Sequence, residues 1–436
     1  MTTFLRPATV LLSLIFVTAP VLADLKIEIT QGVLDPVPIA VVPFGWQGGL
    51  TDPPVDIAAV VSRDLASSGR FAPVARNDML EFPSASSEVD FEDWRLLGTD
   101  VVVIGKMSEE GPDSYRIQFQ VFDVFRGEQL LGYRMESGRN ALRASAHHAS
   151  DLIFEKLTGI RGAFSTRIAY IAVQRSDEQT THQLVVADAD GENRSVIAES
   201  PEPMMSPTWS PDSRKLAYVA FKNGNPGIYV QTLSSGSSQR VSGRRGVNGA
   251  PAWSADGRML AVTLSQVDGN LDIYTLNPVT GKTRRITTNP AIDTEPVWSG
   301  DGRTIYFTSD RSGGPQVYRI DVETGVSRRV TFEGSYNARP RLAPDEQKIA
   351  LVHNDRGNYR IAVLDLDGGD LLVLTDGSLD ESPSFAPNGS MIIYATRDRG
   401  MGILAAVSVD GRVHQRLISH EGEVREPAWS PFPRPL

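Results

Sequence analysis

The sequence contains no cysteine, which excludes disulfides, so the fold has to be stabilised by packing. An excess of basic residues is also missing: the formal net charge is −10 and the pI is near 5.2, which argues against a nucleic-acid binder. No G-x-S-x-G motif occurs, so the hydrolase domain that accompanies many peptidase propellers is not expected. After residue 17 no long apolar run occurs, which predicts a mature chain without a membrane span.

The amino terminus has the pattern of a secretory signal. An apolar run at residues 8–17 follows a single basic residue, and residues 21–23, Val-Leu-Ala, resemble a cleavage site. The run is shorter than the roughly 20 residues that a spanning helix needs. We expect residues 1–23 to be removed and the mature chain to start at Asp24. A secreted chain without cysteine fits a bacterial periplasmic protein better than a small disulfide-rich module.

The second half of the chain is a repeat. Similar segments such as SPTWSP, APAWSA and EPVWSG recur, and in each unit one aromatic or aliphatic residue, here called the anchor, precedes a turn that contains Asp or Asn. The anchors are Trp209, Trp253, Trp298, Leu342, Phe385 and Trp429. They follow one another at intervals of 43–45 residues, and three short β-branched or aromatic runs lie between successive anchors. This period with several strands per unit predicts the four-stranded blades of a β-propeller.

The two ends of the repeat complement each other. Residues 168–172, 184–188 and 195–198 resemble the last three strands of a blade whose first strand is missing, whereas residues 426–431 are a first strand without a blade. We predict that the carboxy-terminal strand completes the first blade, which gives six blades in a closed ring and removes exposed sheet edges.

The part before the repeat shows no such period. Strands are expected at residues 25–30, 39–44 and 101–105, a hairpin at 115–124 and 130–137, and helices at 54–69 and 140–156. This alternation predicts a small α+β domain over residues 24–162. The predicted fold is therefore two-domain: an N-terminal α+β domain, then an all-β six-bladed β-propeller over residues 163–436, closed by its C-terminal strand.

One face of the predicted propeller carries the loops that precede each first strand. These loops cover residues 199–206, 243–250, 288–295, 332–339, 376–382 and 419–426. They present apolar side chains, among them Met204, Met205, Val247, Ile292 and Tyr336, beside Arg244, Arg245, Asn248, Asp293, Asn337 and Arg339. Adaptable apolar groups beside arginine and amides suit a protein-binding surface. The alternative is that they are ordinary turn residues at strand ends.

The residues offer little support for catalysis. We interpret His147 and His148 as surface histidines, because metal-binding pairs prefer i, i+4 spacing. Asp188-x-Asp190 and Asp365-x-Asp367 lack the later ligands of a calcium loop, and Gly400-Met401-Gly402 does not precede a helix. An enzyme should present several convergent carboxylates or histidines at the starts of the first strands. The sequence offers Glu295, Glu381 and Glu426 there, with no histidine closer than His420. We therefore predict no enzyme activity, no cofactor and no metal site.

Four segments resemble a known family. Residues 155–170 (EKLTGIRGAFSTRIAY), 205–219, 248–258 and 294–301 are similar to the TolB family, the periplasmic component of the Tol-Pal system of Gram-negative bacteria. The resemblance implies binding of the lipoprotein Pal at the propeller loop face. The residues on which that contact would fall are Met204, Met205, Arg245, Val247, Asn248, Ala250, Asp293, Thr294, Glu295, Tyr336, Asn337, Arg339, Asp380 and Glu381. It also implies that Asp24, Leu25, Lys26, Ile27, Glu28 and Ile29 recognise the C-terminal domain of the inner-membrane protein TolA.

The amino-terminal segment supports this from its own pattern. The residues LKIEIT alternate apolar and polar side chains at a free end, so they can add as a strand to another protein's sheet edge or lie on their own domain. The expected function is that of a monomeric periplasmic adaptor which serves outer-membrane integrity and cell division and which meets membranes only through its partners. The alternatives are a propeller hydrolase or lyase, or a ligand sensor, that uses the central channel.

Overall fold

The computed structural model describes residues 25–32, 35–176, 179–265, 269–419 and 422–433. The predicted signal sequence, Asp24 and His420 lie outside this part of the chain. Within it, no helix combines the length and the apolarity needed to cross a bilayer.

The described residues of the amino-terminal region form seven strands and three α-helices. They are β1 (Leu25–Gln31), β2 (Val37–Val41), β3 (Gly45–Gln47), α1 (Ile57–Ser67), β4 (Phe71–Pro73), α2 (Phe91–Leu96), β5 (Val101–Gly111), β6 (Ser114–Asp123), β7 (Glu128–Gly138) and α3 (Leu142–Thr158). A mixed sheet has the order β4-β2-β5-β6-β7, with β3 paired to β5. The predicted α+β class is confirmed, whereas β3, β4 and α2 were not predicted from the sequence.

The strand β5 explains how this sheet is covered on both sides. Val103 faces a core built with α1 and α3, while Val102 and Ile104 face a second core around the fully buried Trp94 of α2. An uninterrupted apolar run is what a strand buried on both faces requires. Helix α1 starts where the Asp56 side chain accepts a hydrogen bond from the Ala59 amide at 3.0 Å, and α3 ends at Gly159, whose φ of 73° favours glycine.

Six four-stranded blades follow. The first blade contains β8 (Arg167–Arg175), β9 (Thr180–Asp188) and β10 (Ser195–Ser200). The second contains β11 (Met204–Trp209), β12 (Lys215–Lys222), β13 (Asn225–Thr232) and β14 (Ser238–Ser242). The third contains β15 (Asn248–Trp253), β16 (Leu260–Ser265), β17 (Leu271–Leu276) and β18 (Thr283–Arg285). The fourth contains β19 (Asp293–Trp298), β20 (Thr304–Ser309), β21 (Gln316–Asp321) and β22 (Ser327–Arg329). The fifth contains β23 (Asn337–Leu342), β24 (Lys348–Asp355), β25 (Asn358–Asp365) and β26 (Leu371–Val373). The sixth contains β27 (Glu381–Phe385), β28 (Met391–Asp398), β29 (Met401–Ser408) and β30 (His414–Ser419).

The ring is closed by β31 (Glu423–Trp429), which pairs antiparallel with β8 and sets Trp429 opposite Ile168. The first blade therefore has the order β10-β9-β8-β31. Both the number of blades and their closure by the carboxy-terminal strand are confirmed.

Strand β1 lies on the propeller. It pairs antiparallel with β30, so the sixth blade has five strands in the order β1-β30-β29-β28-β27. The alternative that the free segment lies on its own domain is therefore not what the structure shows. The reason is that β30 would otherwise be a free edge, and β1 supplies the missing backbone partners.

The two units meet where α3 lies against the turn after β9. Arg143 of α3 pairs with Asp190, and His147 of α3 is 2% exposed. The interpretation of His147 as a surface histidine is thus wrong, although its neighbour His148 is exposed. Residues 147 and 148 point in different directions because successive residues of a helix are rotated by about 100°.

Candidate functional site

All six inner strands are kinked at the same repeat position. Its residues are Ser206, Ala250, Glu295, Arg339, Ser382 and Glu426, and each has a positive φ between 45° and 56°. The pairing register of each inner strand shifts around this residue, which is the signature of a β-bulge. Because the bulge takes the residue out of the ladder, it re-aims the side chain, and residues from different blades meet around the propeller axis.

Arg339 is the centre of this meeting point. Its Nε donates to Glu295 Oε1 at 2.8 Å, its backbone amide donates to Glu295 Oε2 at 3.0 Å, and one terminal nitrogen lies 3.5 Å from Glu426 Oε1. The same nitrogen also donates to Ser382 Oγ. These contacts join the fourth, fifth, sixth and first blades.

The electrostatics of the channel follow from this pairing. Burial lowers the pKa of the Arg339 guanidinium, but the carboxylates of Glu426, Glu295 and Glu381 more than offset it, and the net pKa is raised. The candidate acids Glu295 and Glu426 therefore serve as partners of a permanently charged arginine. This arrangement holds the inner strands together and leaves neither acid as a free proton donor.

A second repeat position lies two residues before each bulge. In the second to sixth blades it is occupied by Met204, Asn248, Asp293, Asn337 and Asp380, all of which are buried. The sequence places them among the candidate contact residues. The structure puts them underneath the loops, so their effect on the face is exerted through the backbone that they hold.

The polar members of this set brace their loops in different ways. Asn248 donates to the carbonyls of Arg244 and Gly246 at 2.7 and 3.1 Å. Asp293 accepts two bonds of 2.8 Å from Arg311, and Asn337 donates to the Glu333 carbonyl at 2.7 Å. The role of Arg311 was missed from the sequence, because nothing in its local pattern links it to residue 293.

In the sixth blade, Asp380 stabilises the loop before the inner strand. Its carboxylate accepts from Thr375 Oγ1 and Thr396 Oγ1, each at 2.5 Å. Burial raises the pKa of Asp380 and outweighs the opposite effect of the two hydroxyl donors. A raised folded-state pKa means that the charged form costs stability above that pKa, and that stability is recovered as the pH falls toward the ordinary pKa of aspartate.

We expect Asp380→Asn to keep the loop and to be as stable as the wild type at pH 7, or more stable by about 1 kcal/mol. The difference between variant and wild type should shrink between pH 7 and pH 4, as thermal melts over that range would record. Asp293→Asn is the matched control, because it leaves Arg311 without its carboxylate; it should cost about 2–3 kcal/mol. A loss of that size in Asp380→Asn would contradict the expectation.

Only part of the candidate contact set is accessible to solvent, and several of the exposed side chains on the loop face are apolar. Among the candidates, Arg245 and Val247 are exposed, and a further seven are half-buried: Met205, Ala250, Thr294, Glu295, Tyr336, Arg339 and Glu381. Val247 is 40% exposed, and two further exposed apolar side chains lie in the same loops, Ile292 at 47% and Phe332 at 73%. Phe332 was not a candidate, although an aromatic residue in a turn before an inner strand is a usable signal.

Tyr336 links the exposed and inner parts of this face. Its ring packs edge-on against Tyr359 with centroids 5.1 Å apart. Burial raises the pKa of the Tyr336 hydroxyl, and the nearby carboxylate of Glu295 acts in the same direction. The side chain is therefore a neutral, pre-oriented aromatic group at the rim of the channel.

The amino-terminal candidate segment lies on the outer side of the sixth blade. Ile27 packs against the apolar core shared by the sixth and first blades, while Ile29 is 40% exposed. The backbone pairing runs from Leu25 opposite Ser419 to Gln31 opposite His414. In the described residues no strand pairs with the other side of β1, so this edge is open.

Comparisons with known proteins agree with this geometry. Residues 25–130 match the family model described as the TolB amino-terminal domain, and residues 154–433 match the TolB beta propeller domain. A Tol-Pal system protein TolB from Thioalkalivibrio sulfidiphilus is 50% identical over 411 residues, which cover 94% of each chain. The corresponding protein of Nitrosococcus oceani is 49% identical over 412 residues, again 94% of each chain. The crystal structure of TolB from Acinetobacter baumannii has a TM-score of 0.86 at 39% identity and covers 94% of this chain and 100% of that one.

Proposed function

Because this chain belongs to the TolB family and is thus a component of the Tol-Pal system of the bacterial envelope, we propose that it is a monomeric periplasmic adaptor. The propeller of residues 163–436 binds the lipoprotein Pal, and the amino-terminal segment of the 24–162 domain binds TolA. Residues 1–23 act as the export signal, and removal of this signal leaves Asp24 as the first residue. The adaptor connects the inner and outer membranes through these partners and thereby supports outer-membrane integrity and constriction during division.

We assign Pal binding to the loop face because its exposed apolar side chains stand on loops that buried polar residues hold in place. Val247, Ile292 and Phe332 are exposed, while Asn248, Asp293 and Asn337 hold the loops from below. A surface whose loops are already ordered loses little conformational entropy on binding, which raises affinity. Exposed apolar groups beside arginine are typical of the centre of an interface.

The proposal for TolA rests on the position of β1 at the end of a sheet. Its only strand partner among the described residues is β30, so the chain before Val37 can leave the propeller without breaking another strand pair. A released strand can pair with the edge of a TolA sheet, where backbone hydrogen bonds supply the affinity. Docked and released forms then make a two-state equilibrium that a ligand of either form shifts.

The family also decides against an enzyme, since the relatives are named as Tol-Pal system proteins. The channel itself argues in the same direction, because Arg339 already pairs with the carboxylates of Glu295 and Glu426. A ligand sensor or hydrolase using this channel would first have to displace the arginine.

We expect Val247→Glu to weaken binding of the purified Pal periplasmic domain at least tenfold, because a charge would be buried without a partner in an apolar contact. Val279→Glu is the matched control: Val279 is 84% exposed in the β17–β18 turn, on the opposite face. Equal affinities of the two variants, measured by titration calorimetry, would reject the loop face as the Pal site.

Deletion of residues 24–29 should abolish binding of the TolA C-terminal domain and leave Pal binding unchanged. Loss of both interactions would reject the assignment of TolA binding to this segment.

A further inference from the structure

A buried cluster of charged and imidazole groups lies where the two units meet. Asp64 comes from α1, His147 from α3, and Asp188 and Asp190 from the end of β9 and its turn. We call these four residues the joint cluster. Asp64, His147 and Asp190 are 2%, 2% and 7% exposed, and one ligand atom from each of these three lies within 4.8 Å of the others.

The hydrogen bonds determine which imidazole nitrogen is free. His147 Nδ1 lies 2.7 Å from Asp64 Oδ2, and Ser150 Oγ donates to the same oxygen at 2.6 Å. In the neutral imidazole the carboxylate acceptor at Nδ1 keeps the proton on that nitrogen, and Nε2 then has a free lone pair for a metal ion. A carboxylate behind a histidine is the usual arrangement that orients an imidazole toward a metal ion.

Nε2 of His147 faces the carboxylates of Asp188 and Asp190 but is too far from both for a hydrogen bond. His147 Nε2 lies 3.8 Å from Asp188 Oδ2 and 3.8 Å from Asp190 Oδ2, and it has no hydrogen-bond partner among the described residues. Those distances exceed a hydrogen bond. They are close to the separation of about 3.4 Å between two ligands of one tetrahedral Zn²⁺, whose bonds are about 2.0–2.2 Å long.

The local charge favours a cation. Three carboxylates face the single guanidinium of Arg143, which pairs with Asp190 and has its Nε 3.6 Å from Asp188 Oδ2. Arg167 adds a second positive charge near Asp188, and its guanidinium also donates to the Ser213 carbonyl at 2.8 Å. With a neutral His147, three negative and two positive charges leave one negative charge, which a bound divalent ion would offset.

Room for further ligands exists beside the cluster. Asp64 and Asp190 form part of the wall of a cavity of about 80 Å³ between the two units, with Phe154 and Trp429 among its other walls. A buried water needs roughly 10–15 Å³ of such space, so the cavity has room for waters that would complete a coordination shell.

We propose that the joint cluster binds one divalent transition-metal ion, with Zn²⁺ as the best match to its donors. His147 Nε2 and the carboxylates of Asp188 and Asp190 are the ligands, Asp64 orients the imidazole, and Arg143 keeps its contact with the second lone pair of Asp190. The ion fastens α3 to the propeller. The sequence suggested no metal site, because its ligands come from a helix and a turn about 40 residues apart, each of which has an ordinary local explanation.

The test is a titration of metal-free, full-length mature protein with Zn²⁺, followed by metal analysis after dialysis. We expect one ion per chain with a micromolar or lower Kd and a melting temperature that rises with Zn²⁺ concentration. His147→Gln should remove the stoichiometric binding, and Asp64→Asn should weaken it about 10–100-fold. His148→Gln, which removes the exposed neighbour on the same helix, should bind like the wild type.

Three results would overturn the proposal. They are clearly substoichiometric binding by the wild type, equal binding by wild type and His147→Gln, or loss of binding in His148→Gln, which would reveal adventitious surface binding. If His147→Gln does not fold, as judged by circular dichroism, Asp188→Asn takes its place and should weaken binding at least tenfold. The visible spectrum of the Co²⁺-loaded wild type provides a further readout, because a tetrahedral site with one nitrogen ligand gives intense d–d bands, whereas hexaaqua Co²⁺ does not. The site is distant from the loop face, so failure here leaves the adaptor proposal unchanged.

Discussion

A chain that ends at Gly422 is expected to lose the propeller as a cooperative unit. The truncation removes β31, the inner strand of the first blade, and leaves β8 with an unpaired edge. Two buried residues of β31 belong to different cores: Val424 packs in the core of the sixth and first blades, and Ala428 in that of the first and second. The cut therefore opens both seams at once.

Polar contacts at the seam add to this loss. Trp209 Nε1 donates to the Ala428 carbonyl at 2.9 Å, and Trp429 Nε1 donates to Thr166 Oγ1 at 2.8 Å. The Arg167 amide donates to Ser430 Oγ at 3.0 Å. Without β31, Trp209 Nε1 and the Arg167 amide lose their acceptors and Thr166 Oγ1 loses its donor, which adds desolvation costs to the lost apolar burial.

The expected cost is at least about 5 kcal/mol, which is comparable with the whole stability of an ordinary domain. Light scattering should show aggregation, and limited proteolysis should cut rapidly within residues 163–422. The matched control ends at Pro433, keeps β31 and should melt like the full chain. A monomeric Gly422 truncation with a wild-type melting temperature would show that closure contributes little.

Arg339→Ala is expected to give the second largest effect. It leaves the Glu295 and Glu426 side chains, 20% and 16% exposed, without their cation. Removing one partner of a buried ion pair costs about 3–5 kcal/mol. We expect about 2–3 kcal/mol here, because the Arg339 side chain is itself 28% exposed and water screens part of the repulsion.

A double variant separates charge from packing. Arg339→Ala with Glu295→Gln should recover part of the lost stability, since one of the unpaired charges is gone. Arg258→Ala, at an 84% exposed side chain, should change the denaturation midpoint little. A double variant no more stable than Arg339→Ala alone would assign the effect of Arg339 to packing.

Much of the fold follows from local patterns. Anchors spaced by 43–45 residues and Asp-Gly turns predicted the blades and their closure, because a blade is a meander whose strands pair with their sequence neighbours. The strands and helices of the α+β domain that have clear periodicity were predicted as well. Strands β3 and β4, three residues each, and the short helix α2 were missed, because such short segments show no measurable period.

The candidate surface was only partly accessible to the same reasoning. The six loops were predicted from strand alternation, but a loop sequence does not show which of its residues turn inward. Asn248, Asp293 and Asp380 are polar and were taken for contact residues, yet they are buried because each finds hydrogen-bond partners in its own loop or in neighbouring strands and turns. Burial of a polar side chain depends on its partners, and Arg311 and Thr396 lie outside the loops that carry Asp293 and Asp380.

By itself, then, the sequence determined the elements that depend on neighbours in the chain: the blade period, the turns, the closing strand and the family. Tertiary structure alone decided which distant groups meet. It brought Arg339 to Glu295 and Glu426 across the axis, set β1 on β30, and placed His147 between Asp64 and the Asp188–Asp190 turn. The physical reason is that a sequence period follows from the directions in which successive side chains point along a strand or helix. Charge pairing and metal coordination instead depend on distances that only the packed chain defines.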